Sequence, residues 1–151
     1  MSGKRTLRSS MFETNSSSVH SIVYHNLLLD SPNLRTKNGY TIAEFGNFGK
    51  GFENYFEQSE KLSYLVSLVW YVVPHYDLSD MYDDWYWKQL EKAVCEYNDT
   101  KGIRIGNKNA EPYIDHQSAP DGWIDFIDFD NVESLRQFVF CPNIWLRTDC
   151  D

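Results

Sequence analysis

The chain has few cysteines and no long hydrophobic run. Its 151 residues include only Cys95, Cys141 and Cys150. Their number is odd, their spacings do not match a metal-binding motif and no signal peptide precedes them, so we expect reduced thiols in a cytosol. Cys95 and Cys141 fall on or beside apolar stripes, which predicts core positions. No apolar stretch reaches the roughly 20 residues that a membrane-spanning helix needs, so no membrane association is expected.

Positive charge is also scarce. Lysine and arginine number 14 against 22 acids, which gives a net charge of −8. Direct binding to nucleic acid is therefore not expected, because affinity for a phosphate backbone comes mainly from lysine and arginine. After residue 110, nine acids are opposed only by Arg136 and Arg147. Such a region can steer the protein onto a basic partner, or it can be a solvated face that keeps the protein soluble.

Aromatic residues, in contrast, are abundant. They form 16% of the chain, and hydrophobic residues as a whole form 42%. A chain of this length and composition can bury one domain's core without disulfides or a structural metal. The aromatic side chains either fill that core or form a binding surface, since tryptophan and tyrosine dominate both.

Local patterns predict an α+β fold. Short β-branched runs predict strands at residues 19–24, 40–45, 103–105 and 144–146. Apolar residues at helical spacing predict two main helices, at about 56–73 and 84–97, and a short third helix that ends before Pro142. The expected capping boxes are Asn54 with Glu57 for the first helix and residues 130–133 for the third.

The sequence also predicts some of the connections. The Asn38-Gly39 pair favours a hairpin or a tight loop, and residues 75–84 are expected to form a loop. Tyr97 falls on the apolar stripe of the second main helix, which predicts a buried position.

The order of these elements predicts one domain rather than a regular alternation of strands and helices. We expect a mixed or antiparallel sheet of about four or five strands packed against the two main helices. Residues 1–10 are predicted to form a polar, basic N-terminal arm, and residues 11–151 the domain.

Residues 11–21, the serine segment, combine an acid, an amide, three serines and a histidine. Serine and asparagine side chains compete for backbone hydrogen bonds, which favours consecutive turns with inward-pointing amides. Such turns can bind a phosphate, a carboxylate or a nucleotide. The alternative is a serine-rich arm that leads into a strand, with its polar groups consumed by turns and caps.

Residues 113–118, the Asp–His segment, contain Asp115 and His116 side by side. In an extended segment the two side chains point to opposite sides, so one of them could face the serine segment. His20 or His116 is then the candidate general base of a hydrolase. No spacing here matches a metal motif and no nucleophile elbow is present, so neither a metal nor another cofactor is expected.

These arguments give two sets of candidate residues. The candidate ligand-binding residues come from the two polar segments: Glu13, Asn15, Ser16, Ser17, Ser18, His20, Asp115 and His116. The candidate partner-binding residues are acids near the third helix and aromatics near the second: Asp121, Asp125, Asp128, Asp130, Tyr82 and Trp85. No catalytic residue is assigned.

Several phrases of the sequence occur together in one known group of proteins. They are FETNSSSVHS at residues 12–21, EFG at 44–46, KLSYL at 61–65, YIDHQS at 113–118 and FVFCPN at 138–143. In wording and order the chain resembles small proteins encoded by tailed bacteriophages and prophages, a group to which no activity is assigned. The resemblance spans about residues 8–149 and implies a phage origin and expression in the host bacterial cytoplasm.

Two functions are consistent with this resemblance. The first is a non-enzymatic phage accessory protein, anti-CRISPR-like or otherwise anti-defence, that inhibits a host defence factor. Its partner would be a basic bacterial protein or nucleoprotein complex, and self-association would be compatible with it. The alternative is a small-molecule protein, either a sponge for a nucleotide or phosphate ligand or a hydrolase, built from the two polar segments.

Overall fold

The computed structural model describes most of the chain. The described residues are 11–13, 18–26, 29, 31–49, 51–74, 77–114 and 127–150, and side chains are described for all of these except residues 11–13, 18–19 and 149–150. The predicted N-terminal arm lies outside the described residues.

Short strands are the commonest element in the described part of the chain. Nine are present: β1 Met11–Glu13, β2 Ser18–Tyr24, β3 Thr36–Lys37, β4 Tyr40–Ala43, β5 Asn47–Phe48, β6 Glu53–Tyr55, β7 Ile103–Ile105, β8 Tyr113–Ile114 and β9 Ile144–Cys150. The strands predicted from β-branched runs correspond to β2, β4, β7 and β9. The sequence did not predict the very short β1, β3, β5, β6 and β8.

The strands form three sheets. The largest has the order β1-β2-β9-β6 and is antiparallel throughout. A second has the order β3-β4-β7, in which β4 and β7 are parallel, and a third pairs β5 with β8 in parallel. The α+β class is therefore confirmed. The predicted number of strands fits loosely, because the four-stranded sheet is accompanied by two smaller ones.

Four helices complete the described fold: α1 Gln58–Val72, α2 Leu78–Tyr82, α3 Trp85–Asn98 and α4 Val132–Phe140. The two main helices, α1 and α3, and the third predicted helix, α4, are confirmed. The short helix α2 lies where the sequence predicted only a loop.

The predicted caps of α1 and α4 are wrong in detail. Asn54 belongs to β6, and α1 instead begins at a capping box formed by Glu57 and Glu60. Helix α4 is capped by Asn131, whose side chain accepts a hydrogen bond from the Ser134 amide at 3.0 Å. In both cases the capping residue directly precedes the first helical residue. The first backbone amides of a helix have no acceptor within the helix, and the capping side chain supplies one.

The turn between β3 and β4 follows the sequence prediction. Asn38 and Gly39 have φ angles of 55° and 84°. Two successive residues with positive φ make the turn whose twist matches that of a hairpin, and Asn-Gly is the pair best suited to it. Of the two forms that this pair favours, a hairpin or a tight loop, the structure contains the hairpin.

The core lies between the sheets and the helices α1, α3 and α4. Leu65, Val69, Leu90 and Val94 are fully buried in one continuous cluster. Cys95 belongs to this core as predicted, and Cys141 packs against it half-buried. Tyr97 was predicted on the buried stripe of α3 but is 64% exposed. It lies at the end of the helix, where its ring stacks on Phe140 instead.

One buried side chain was not expected from the pattern. Lys61 lies on the apolar face of α1 with no exposed surface. Its ammonium donates hydrogen bonds to the carbonyl oxygens of Ile144 at 2.7 Å and Cys141 at 3.0 Å. Burial lowers the pKa of the Lys61 ammonium to about 8. The lysine therefore ties α1 to the turn between α4 and β9.

This burial predicts a pH-dependent stability. The Lys61 pKa falls from 10.5 to about 8 on folding, so the unfolded state binds more protons between these values. The Lys61 contribution to the free energy of unfolding should therefore increase as pH rises through that window. Urea melts measure the free energy of unfolding at pH 7.5 and pH 10. Its change between the two pH values should be more positive for the wild type than for Lys61→Met.

The matched control is Lys88→Met, since Lys88 is a 52% exposed surface lysine paired with Glu91. Its substitution should leave the pH dependence close to that of the wild type. Equal pH dependences for Lys61→Met and Lys88→Met would contradict the prediction.

Candidate functional site

His20 lies inside the protein. It stands on β2 with no exposed surface, and its Nδ1 lies 2.8 Å from the Tyr64 hydroxyl on α1. Burial raises the pKa of Tyr64 far above its ordinary value, which keeps the hydroxyl neutral. On β9, Thr148 stands opposite His20, is also fully buried and donates to the Gly51 carbonyl at 3.1 Å. Part of the serine segment is therefore built into the packing between the large sheet and α1.

An aromatic cluster extends from this histidine towards the Asp–His segment. The Tyr64 ring contacts Phe48 edge-to-face with centroids 5.2 Å apart, and Phe48 contacts Tyr55 at 5.1 Å. Phe48 lies in β5 and is the register partner of Ile114 in β8. Ile114 directly precedes Asp115, so the described ends of both polar segments meet at the Tyr64–Phe48 pair.

Most of the ligand-binding candidates lie outside the described part of the chain. This holds for Asn15, Ser16, Ser17, Asp115 and His116. Only the backbone of Glu13 and Ser18 is described, in β1 and β2. The structure thus places the flanks of the two segments near each other, and His20 is the one candidate ligand-binding residue whose side chain it describes.

A groove lies beside the same aromatic cluster. It has a volume of about 410 Å³ and runs between the β4–β5 region and the start of α1. Its wall is mixed, with charged, hydroxyl and aromatic groups contributed by Arg35, Ile42, Ala43, Glu44, Phe45, Gly46, Asn47, Phe48, Tyr55, Ser59, Glu60 and Ser63. The sequence does not predict this groove, because its lining comes from four separate stretches that share no motif.

The charges in the groove are partly balanced. Arg35 and Glu44 lie 3.6 Å apart at an exposed rim. The pKa of the Glu60 carboxyl is raised, first by burial and then by the nearby carboxylates of Glu57 and Glu53, against the lowering effect of backbone hydrogen bonds. A groove with two carboxylates and one paired arginine is better suited to neutral or cationic groups than to an anion.

A second surface forms where α2 meets α3. Trp85 is 48% exposed there and directly follows Asp83 and Asp84. The Asp84 side chain caps α3 by accepting from the Tyr86 amide at 2.7 Å. A carboxylate at a helix N-terminus is stabilised by the helix dipole.

The segment before α4 joins this surface through ring contacts. The Tyr86 ring contacts Trp85 at 5.0 Å and Phe129 at 5.4 Å between centroids, both nearly perpendicular. Phe129 is buried, and its carbonyl accepts from the Gln89 side chain at 2.8 Å. Asp128 and Asp130 flank Phe129 in sequence. We call Asp83, Asp84, Trp85, Asp128 and Asp130 the acidic–aromatic surface.

Of the remaining partner-binding candidates, only Tyr82 lies within the described residues. Tyr82 is half-buried, its hydroxyl accepts from the Ile105 amide at 3.0 Å, and its ring lies 4.5 Å from the Arg104 guanidinium. It therefore takes part in packing between α2 and β7. Asp121 and Asp125 lie outside the described residues.

Comparison with family models, with curated proteins and with solved structures found no match to this chain. In the part of the chain that the structure describes, no helix combines the length and apolar character needed to cross a bilayer. The same residues contain no group of three or more histidine, cysteine or acidic side chains placed to hold a metal ion. The assignment to a phage protein group stays a prediction from sequence.

The buried histidine gives a direct prediction. His20→Ala should lower the melting temperature by several degrees, because it leaves the fully buried Tyr64 hydroxyl without its 2.8 Å partner and opens a void. Losses on the order of 1–2 kcal/mol are expected for such a change, and each kcal/mol shifts the melting temperature of a domain of this size by about 2–4 °C.

Differential scanning calorimetry of His20→Ala and Tyr64→Phe tests this account. Tyr64→Phe removes only the hydroxyl and should cost less than His20→Ala. A His20→Ala protein with unchanged or raised stability would instead indicate a residue kept for activity at the expense of stability.

Proposed function

We propose that the protein acts by binding, and that its acidic–aromatic surface contacts a basic surface on a macromolecular partner. The observation that carries this proposal is the position of Trp85. Trp85 is 48% exposed directly after the two aspartates of the α2–α3 corner, and its ring is linked through Tyr86 to the segment that holds Asp128 and Asp130.

The two kinds of side chain would contribute differently. An exposed tryptophan buries a large area when a partner covers it, so it is a common energetic anchor of protein interfaces. Carboxylates around it would attract a basic surface and raise the association rate, more than they would raise the final affinity. Two of the cations on α3 and α4 are already paired, Lys88 with Glu91 and Arg136 with Glu96 and Glu133.

The class of partner follows from the sequence. The resemblance to phage and prophage proteins and the net charge of −8 favour a host defence factor with a basic surface, such as a nucleic-acid-binding effector. The protein would occupy that surface in the infected bacterial cytoplasm and so inhibit the factor. No chemical step is required for this role.

The experiment is capture from a lysate of the bacterial host at low salt, followed by kinetic measurements with the retained partner. Trp85→Ala should speed dissociation by roughly tenfold or more, as expected for a buried aromatic anchor. Asp130→Lys should slow association and reduce its dependence on salt. The matched control is Glu111→Lys, which makes the same charge change at an exposed acid outside this surface.

Two outcomes would contradict the proposal. One is the absence of any retained host protein or nucleoprotein complex at low salt. The other is an equal effect of Asp130→Lys and Glu111→Lys on association, which would indicate attraction by total charge and not by this surface.

A second candidate function is small-molecule binding by the two polar segments. It is favoured by the Tyr64–Phe48 contact, which brings His20 and Ile114 to the same aromatic cluster beside the 410 Å³ groove. Because His20 is buried against Tyr64, His116 is the better candidate for a general base. The protein would then be a ligand sponge or a hydrolase.

Cross-linking can test whether the serine segment and the Asp–His segment lie close to each other, as this second function requires. In a background with the three native cysteines replaced, Ser17→Cys with His116→Cys should form a disulfide or react with a short bifunctional reagent. The control pair, Ser17→Cys with Asp99→Cys, uses an exposed position after α3 and should not react. If both pairs behave alike, the two segments do not form one site.

A further inference from the structure

The 410 Å³ groove between the β4–β5 region and α1 is large enough to hold a ligand of its own. Its volume falls within the range of about 300–1,000 Å³ that is usual for small-molecule sites. All of its lining residues belong to the described part of the chain. Neither the serine segment nor the Asp–His segment contributes a lining residue, so the chemistry of the groove does not depend on them.

Backbone amides in the strand wall of the groove are already engaged. The Phe45 amide donates to the Asn107 side chain at 2.8 Å, and the Gly46 amide donates to the Ser67 hydroxyl at 3.2 Å. Free backbone amides are the groups that most often bind an anion such as a phosphate. These two amides are not available for that purpose.

The helix wall of the groove offers acceptors instead. The Ser63 hydroxyl donates to the Glu44 carbonyl at 2.5 Å, so towards a ligand its oxygen can only accept. Glu60 lies three positions earlier on α1, which places it on the same side of the helix. A ligand bound between these two side chains must therefore supply the hydrogen-bond donors.

The Glu60 carboxylate is fixed in position and keeps acceptor capacity. Its Oε1 accepts from the Glu57 amide at 3.4 Å, and the Phe56 amide also contributes a hydrogen bond. A carboxylate has about four lone-pair sites, so two amides do not exhaust it. No lysine or arginine of the described residues forms an ion pair with Glu60. Lys61, its neighbour in sequence, donates to carbonyls in the turn between α4 and β9.

The charge and the apolar surface of the groove favour an organic cation. Arg35 is the one cation among the lining residues, and it pairs with Glu44. The carboxylate of Glu60 is thus left without a counter-charge in the lining. Ile42 and Tyr55 are half-buried and also line the groove, so they can cover the hydrocarbon part of a ligand.

We infer that this groove binds a small primary amine, whose ammonium donates to Glu60 and Ser63 while its hydrocarbon part lies against Ile42 and Tyr55. An ammonium carries three donors and no acceptor, which matches a wall of acceptors. A cation at Glu60 would also offset the burial and the neighbouring carboxylates that raise the pKa of this residue. The site is separate from the acidic–aromatic surface and does not depend on the proposed function.

The test is NMR titration of the whole protein at about 0.15 M salt, where non-specific attraction of cations to the acidic chain is screened. The probes are phenethylamine, its neutral analogue phenylethanol, and methylamine as an ammonium without the hydrocarbon part. Phenethylamine should bind more tightly than either analogue. It should shift the methyl resonances of Ile42 and Ala43, which line the groove. This mapping uses the wild type and so does not depend on the stability of any variant.

Two matched variants locate the charge that matters. Glu60→Gln removes the carboxylate and keeps a side chain suited to this position of a capping box. It should weaken phenethylamine binding by roughly tenfold or more, as expected for the loss of a charge-assisted contact. Glu57→Gln makes the same charge change in the same capping box, but Glu57 does not line the groove. It should weaken binding far less.

Three results would overturn the inference. The first is that phenethylamine does not bind or leaves the Ile42 and Ala43 methyl resonances unshifted. The second is that phenylethanol binds as well as phenethylamine, which would remove any role for the ammonium. The third is an equal loss of binding in Glu60→Gln and Glu57→Gln, which would indicate attraction by the local charge and not by this groove.

Discussion

The pairing of β2 with β9 is the contact on which the rest of this structure depends. It joins residues 18–24 to residues 144–150 in an antiparallel ladder of seven residue pairs. Closing so long a loop costs chain entropy, which must be offset by the contacts that the closure creates. Those contacts include β1 on one side and β6 on the other, so the four-stranded sheet exists only once both regions have met.

The same ladder sorts polar residues between two faces. The His20–Thr148 pair points inward, where Tyr64 and the Gly51 carbonyl satisfy it, and the Ser21–Arg147 pair points outward. A shift of one residue in register would exchange these faces and place an arginine in the core. The hydrogen bonds of the buried pair therefore help to fix the register as well as the fold.

Other buried or crowded polar groups hold the second half of the structure together. Lys61 donates to the carbonyls of Cys141 and Ile144, in the turn between α4 and β9, and Gln89 donates to the carbonyl of Phe129. Arg104 lies 4.5 Å from the rings of both Tyr40 and Tyr82 and pairs with Glu91 at 3.2 Å. Each group joins a helix to a strand or loop from a distant part of the chain. Their removal would leave unsatisfied partners, which is more costly than the loss of the hydrogen bond alone.

The sequence predicted those parts of the fold that local patterns determine. Helical spacing located α1, α3 and α4, and the Asn38-Gly39 pair located a hairpin, because both signals lie within a few residues. Strands of two or three residues, such as β5 and β8, are too short to show a period, and their pairing is set by distant partners. Lys61 was missed because a lysine on an apolar stripe looks like a surface residue until two carbonyls are found beside it.

The candidate site was predicted less completely than the fold. Composition drew attention to Trp85, Asp128 and Asp130, and the contacts of the Tyr86 ring with Trp85 and Phe129 link the two stretches that contain them. His20 was chosen for its chemistry, and its hydrogen bond to Tyr64 now accounts for it as a buried structural residue. Arg147 was counted only as one of two cations in an acidic region. Its contacts with Asn54 and Phe52 could not be read from the sequence, since they depend on β-sheet register.

Net charge alone is a poor guide to what a given surface of this protein can bind. Charges more than a Debye length apart, roughly 10 Å at 0.1 M salt, are largely screened from each other. A partner bound at Trp85 would therefore respond to the aspartates next to that residue much more than to acids elsewhere on the protein. For the proposed interface, the positions of the acids thus matter more than the net charge of −8.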